Sequence, residues 1–262
     1  MNTFTRRSTI LESIERDGVV NLRALSHELG VAPVTIHRDL EHLEQIGAVE
    51  RIRGGARKRE AANHSVHAEF SLRLNESAEA KTAMAEHARD SIPEGSTIFL
   101  DSSTTCLALA RVLQQRPPAA LTLVTNSPAI LYEMNTSNIH VIATPGEINQ
   151  PMKCISGRWT VEFLEQLSFS AAFLSAAGIM VDRGLLTGYR ELADIASAVL
   201  NRADKRVALV DATKFGGQAL IQLATHDQID VVVTDDRLTA ETRDKYKHAG
   251  WTIEIALSGK DK

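Results

Sequence analysis

Apolar positions recur at helical spacing in the first part of the chain, and in short strand-like runs from Thr97 onward. Ile10, Leu11 and Ile14 predict a first helix that stops at Asp17-Gly18. Leu22, Leu25 and Leu29 predict a second, with Asn21 as its cap and Gly30 as its stop. Pro33 suits the first position of a third helix, whose Ile36, Leu40 and Leu43 fall at i, i+4 and i+7. Burying that stripe turns Thr35, His37 and Arg38 toward solvent. Helix, glycine turn and second amphipathic helix together read as a helix-turn-helix, with the third helix offering its outer face to base edges.

Ala48 to Arg59 follows, and Gly54-Gly55 between two short runs predicts a hairpin. A basic hairpin beside a recognition helix is the wing of a winged helix, suited to gripping phosphates. The expected DNA-contacting residues are therefore Pro33, Val34, Thr35, His37 and Arg38 on the helix, with Arg51, Arg53, Arg57 and Lys58 on the wing. A solvated linker for the basic run, and a helical bundle that binds no DNA, are the competing readings.

Residues 57–80 are polar and lack a long apolar period, which marks a junction; His64 and His67 read as solvated linker residues there. From Lys81 the pattern alternates. Helices are predicted at Lys81–Ile92, Cys106–Leu113, Pro128–Met134, Trp159–Leu167, Glu191–Asn201 and Thr239–Ala249. Strands are predicted at Thr97–Leu100, Leu121–Val124, His140–Ala143, Ala171–Ala176, Arg206–Val210 and Asp230–Val233. Strands this apolar, separated by helices, predict an open and mostly parallel α/β sheet covered on both faces.

Polar residues follow these strands, where open sheets bind ligands. Asp101, Ser102, Ser103, Thr104 and Thr105 are the sharpest group, because hydroxyls that open a helix offer donors, amides and a positive dipole end to a phosphate. The same run also caps helices with no ligand present. Asp101 suits sugar hydroxyls, and Lys214 suits a phosphate, or is a plain surface lysine. Asn126, Gly146, Gly178 and Glu191 complete the expected effector site.

The composition, 44% hydrophobic and 24% charged over 262 residues, is globular and suits about two domains. Net charge is −4, but the first sixty residues carry ten basic and nine acidic side chains, leaving about −5 for the rest, so DNA contact should be local. The two cysteines, Cys106 and Cys154, form no metal motif or disulfide framework; Cys106 is expected inside a helix and Cys154 at the surface. No metal or cofactor is expected, nor a membrane segment or signal peptide, which points to the cytoplasm.

Thr35-Ile36-His37-Arg38-Asp39-Leu40, Gly47 and Arg53-Gly54-Gly55-Ala56 resemble the amino-terminal signature of the DeoR family of bacterial transcriptional regulators. Asp101-Ser102-Ser103-Thr104-Thr105, Val124-Thr125-Asn126-Ser127, Ala177-Gly178-Ile179 and Asp211-Ala212-Thr213-Lys214-Phe215 are similar to its sensor-domain blocks. The resemblance implies a sensor domain related to ribose-5-phosphate isomerase that detects phosphorylated sugars. It also implies that Phe70 and Arg73 pack on that larger domain. His37, Arg53, Ala32, Ser102, Pro145-Gly146, Ser175 and Ala196 depart from the family's usual residues.

The expected organisation is a winged helix at 1–57, a linker at 58–80 and an effector-binding, oligomerising domain at 81–262. The expected function is control of a carbohydrate or polyol catabolic operon, most simply as a repressor. Its partners are a double-stranded DNA operator, a phosphorylated sugar or polyol effector and further copies of itself, as a dimer or tetramer. An isomerase-like enzyme using Asp101, Glu191, Asp211 and Lys214, and a sugar-phosphate-binding scaffold that no longer touches DNA, are the other two readings.

Overall fold

The computed structural model describes residues 3–45, 48–58, 70–134, 138–150 and 152–258. Gly47, and residues 59–69 of the expected linker with Arg59, His64 and His67 among them, lie outside the described residues. Contacts divide the chain into two units, Met1–Asn75 and Glu76–Lys262.

The first unit runs α1 (Thr3–Asp17), β1 (Val19–Asn21), α2 (Leu22–Glu28), α3 (Pro33–Gln45), β2 (Val49–Ile52), β3 (Gly55–Lys58) and α4 (Phe70–Asn75). Ile10, Ile14, Leu25, Ile36, Leu40, Leu43, Val49 and Ala56 bury together as its core. Each large aliphatic side chain among them contributes about 1.5–3 kcal/mol on burial. The expected caps hold. Asn21 Oδ1 accepts from the Arg23 and Ala24 amides at 2.9 and 3.4 Å, and Gly30 takes φ +64° just after α2.

The wing is a three-stranded antiparallel sheet in the order β1-β3-β2. Its turn differs from the expected Gly54-Gly55. Ile52 pairs with Gly55, so Arg53-Gly54 make the turn, with Gly54 at φ +87°. Gly55 belongs to β3 and lies against β1, where a Cβ would stand 1.9 Å from the Val20 carbonyl oxygen. No sequence pattern announces β1. Three residues with one buried side chain are too short for an alternating pattern to register. α4 lies inside the segment expected to be linker. Leu72 joins the first unit's core, and Arg73 stands 5.9 Å over the Phe70 ring.

The second unit begins with α5 (Ala78–Asp90), β4 (Thr97–Leu100), α6 (Thr104–Gln115), β5 (Leu121–Thr125), α7 (Pro128–Glu133) and β6 (Ile139–Ala143). It continues through β7 (Glu147–Asn149), β8 (Cys154–Ser156), α8 (Arg158–Glu165), β9 (Phe169–Leu174), β10 (Gly178–Met180), β11 (Gly184–Thr187) and α9 (Arg190–Leu200). It ends with β12 (Ala203–Leu209), β13 (Ile221–Ala224), β14 (Val231–Asp235), α10 (Ala240–His248) and β15 (Ile253–Ala256). Seven strands form one parallel sheet in the order β15-β14-β12-β9-β4-β5-β6. Its strands are apolar on both faces because helices cover both, and Phe99 meets Phe169 edge-on within the core. The chain builds outward from β4 to β6, then returns to lay β9 on the other side of β4. That reversal opens a crevice at the carboxyl ends of β4 and β9, where open sheets bind ligands.

Candidate functional sites: a nucleic-acid interface and a sheet-edge pocket

Burial of Ile36, Leu40 and Leu43 leaves Pro33, Val34, His37 and Arg38 exposed on α3, with Thr35 half-buried. Asp39, the next residue after Arg38, is buried instead. Its carboxylate accepts from the Arg6 side chain and from Arg7 Nε at 2.9 Å, which ties α1 to α3. The wing arginines differ in their engagements. Arg53 stands exposed at the turn. Arg51 is half-buried and donates to the Gly55 carbonyl at 3.2 Å and the His37 carbonyl at 3.5 Å, bracing wing against helix. Arg57 pairs with Glu50 directly across the hairpin, at 2.7 and 3.0 Å. An acid one residue before the basic run therefore offsets part of its charge. Lys58 is placed in β3 opposite Val49.

In the second unit, Asp101 sits at the crevice itself. Its Oδ1 accepts from the Ser103 amide at 2.9 Å, and its Oδ2 from the Ser175 amide, beyond β9, at 2.8 Å. Burial nevertheless holds its pKa above the usual carboxylate value. Asp101 thus clamps the two loops that border the crevice. Ser103 caps α6, its Oγ accepting from the Cys106 amide at 3.1 Å, while Ser102, Thr104 and Thr105 are buried beside it. The 12-residue α6 points its positive end at this loop.

Asn126 follows β5. Its Nδ2 donates to the Ile155 carbonyl at 3.1 Å, and its buried Oδ1 has no hydrogen-bond partner. Thr144, in line with it after β6, has an equally unpartnered buried hydroxyl. Gly146 (φ +144°) runs so close to β8 and α8 that a Cβ would stand 2.2 Å from Thr160 Oγ1. Gly178 likewise leaves no room for a side chain: a Cβ would lie 2.3 Å from the Gly217 carbonyl oxygen. Both glycines act through packing. Lys214 ends a short turn at 212–214, half-buried, and Asp211 caps that turn through Oδ1 to the Thr213 amide at 3.1 Å.

Cys154 is fully buried on β8, which corrects its expected surface position. Burial, opposed by hydroxyls of Ser156 and Ser102 and aided by the charges of Glu191 and Asp101, pushes its thiol up to about 11. Cys106 is buried too, donating to the Phe173 carbonyl at 3.3 Å. Glu191 is exposed in the first turn of α9. Its side chain also opens, with Arg158, Glu162 and Asp194, onto a groove of about 560 Å³ between α8 and α9. The sequence reading did not single out Thr144, Ser156 or Cys154 as site residues. They come from loops and short strands with no periodic signal; Asn149–Cys154, which closes the β7–β8 hairpin, ends in no recognisable motif. Among the described residues no group of three or more His, Cys, Asp or Glu side chains is placed to hold a metal ion, and no helix is long and apolar enough to cross a membrane.

Comparison with known proteins adds a separate line. Residues 6–61 match the family described as DeoR-like helix-turn-helix domain, and residues 76–236 match the DeoR C terminal sensor domain. The chain is 30% identical to the HTH-type transcriptional regulator GlpR of Haloferax volcanii, covering 95% of this chain and 96% of the relative. It is 28% identical to the regulator GolR of Listeria innocua over 98% and 100%, and 30% identical to the lactose phosphotransferase system repressor of Staphylococcus epidermidis over 90% and 93%. These relatives are named as regulators rather than enzymes. Among solved structures, ribose 5-phosphate isomerase A of Neisseria gonorrhoeae overlays 53% of each chain at 15% identity, with a TM-score of 0.39.

Proposed function

We propose that this chain, which belongs to the DeoR family of DNA-binding transcriptional regulators, represses a carbohydrate or polyol catabolic operon and leaves its operator when a phosphorylated metabolite of that pathway binds the second unit. The supporting observation is the crevice between β4 and β9. There the hydroxyl-rich loop Ser102–Thr105 opens α6, and Asp101 joins that loop to the one carrying Ser175. A phosphate against that loop meets helix-end amides and hydroxyls, with Lys214 beyond the neighbouring strand β12 as the cation. Asn126, Gly146, Gly178 and Glu191 shape the remainder, by hydrogen bonding, packing or charge. On the first unit, Pro33, Val34, Thr35, His37 and Arg38 face bases, while Arg51, Arg53, Arg57 and Lys58 serve the phosphate backbone.

Copies of the chain associate, as a dimer or tetramer, and set two recognition helices about one helical turn of DNA apart, or a multiple of it. An effector that favours a different spacing weakens operator binding. A coupling of ~1–3 kcal/mol changes affinity by roughly 5- to 150-fold. The test is a thermal-shift screen of sugar and polyol phosphates on the full chain, followed by fluorescence anisotropy on DNA from its own promoter region. The reading expects one compound to raise the melting temperature and weaken DNA binding at least about five-fold. It is overturned if specific binding is found and no phosphorylated sugar or polyol shifts either quantity.

A further inference from the structure

Val34 is the outlier of the recognition helix. It is 58% exposed, although the other large apolar residues of α3 (Ile36, Leu40 and Leu43) are at most 1% exposed. Among the described residues, those at the rim of this unit's core are Leu11, Leu22, Leu29, Val31 and Ala48; Val34 stands apart from them. A solitary exposed valine elsewhere would need no explanation. This one occupies the second position of α3, directly after Pro33, and successive residues turn by about 100°. It therefore points opposite the buried stripe, one turn before the exposed Arg38 and two turns before the exposed Glu41. A β-branched side chain adds nothing to helix propensity at an exposed position that a polar residue would not add.

The geometry points to Val34 as a specificity-determining residue whose ligand is the C5-methyl group of a thymine in the major groove. That methyl is the one apolar group on the major-groove edge of the four bases, and the amino-terminal residues of a recognition helix are those that reach base edges. Against cytosine or a purine edge, the valine would cover polar atoms without satisfying them. Val34 and Arg38 are four residues apart, about 6 Å along the axis. The thymine therefore lies within about two base-pair steps of the base that Arg38 reads. Val34 and Arg38 together read an apolar and a polar mark in fixed order. The inference rests on α3 being the helix that enters the groove.

The experiment takes the full chain, enriches binding duplexes from a random pool, and replaces thymine by deoxyuridine one position at a time in the selected site. Affinity is measured by anisotropy for the wild type, Val34→Ala and Arg38→Ala. The wild type should lose about four-fold at one thymine per half-site, the worth of one buried methyl. Val34→Ala should bind thymine and uracil alike there, with its melting temperature and guanine preference unchanged. Losses of less than about two-fold at every thymine overturn the inference, as does a methyl dependence that survives Val34→Ala. If Arg38→Ala also leaves every base preference intact, the placement of α3 itself has failed. A methyl-blind wild type with an Arg38-dependent guanine removes the Val34 assignment alone.

Discussion

Replacing Asp39 by Asn should destabilise the first unit selectively. The Asp39 side chain is 3% exposed, that of Arg6 10% and that of Arg7 29%. Removing one member of a buried ion pair costs about 3–5 kcal/mol, because the partner charge is left without compensation. Arg7 reaches water, so its share falls in the ~0–1 kcal/mol range of surface pairs. Arg6 does not, and an asparagine oxygen can still accept one hydrogen bond. These considerations put the loss near ~3 kcal/mol. A unit of this size has about 4–11 kcal/mol of stability, so the loss takes between a quarter and most of it. Both tryptophans, Trp159 and Trp251, lie in the second unit, so their fluorescence follows that unit alone. In urea, the far-ultraviolet circular dichroism of Asp39→Asn should develop an early step that the tryptophan signal lacks. Operator binding should fall only in proportion to the fraction of first unit still folded. A destabilisation under about 1 kcal/mol would refute the reasoning that Asp39 holds α1 and α3 together.

Gly55→Ala should shift or detach β1, since the new Cβ would meet the Val20 carbonyl oxygen; hydrogen exchange at the Val20 and Asn21 amides should rise and DNA binding fall. Glu50→Gln removes the acid that Arg57 pairs with, so it should tighten binding to all duplexes alike, while Arg53→Ala should weaken it and lower the salt slope by about one. Asp101→Asn sets an NH₂ against the Ser103 or Ser175 amide, which should cost about 1–3 kcal/mol and abolish the effector response while operator binding persists; an intact response in the promoter-release assay would count against the clamp. At Asp235, desolvation raises the pKa, but the Arg237 side chain and the Ala212 amide outweigh it and leave the carboxyl below its ordinary value of 3.8. Arg206 lowers Asp230 in the same way. Both carboxylates stabilise the second unit above that ordinary value, and the contribution disappears as pH falls through the lowered folded value, so Asp235→Asn should flatten the acid end of the tryptophan-monitored stability curve.

Which parts of this architecture were legible depends on whether the information was local. α2 and α3 were, because Asn21, Gly30 and Pro33 stop and start helices through their own backbone preferences, and Ile36, Leu40 and Leu43 mark one face. The central strands were, because burial on both faces leaves continuous apolar runs such as Val231–Val233. β1, β7, β8, β10, β11, β13 and β15 were not. They have three or four residues each, and most are fixed by a partner strand rather than by their own pattern.

Site placement and site role separate along the same line. That Asp101, Asn126, Gly178 and Lys214 gather at one edge follows from strand order, and apolar runs ending in polar residues announce it. What each does there depends on contacts from distant segments: Ser175 for Asp101, Ile155 for Asn126, Gly217 for Gly178. Asp39 makes the point most sharply, since one polar motif holds both Arg38, which faces out, and Asp39, which faces in. Helical phase puts Asp39 only at the margin of the buried face, and it is the arginine pair on α1 that makes the inward position stable. A carboxylate in that setting organises the reading surface without touching DNA. Base preference in this chain should therefore be sought at Val34, His37 and Arg38, whose side chains make few demands on the fold and can change without unfolding it.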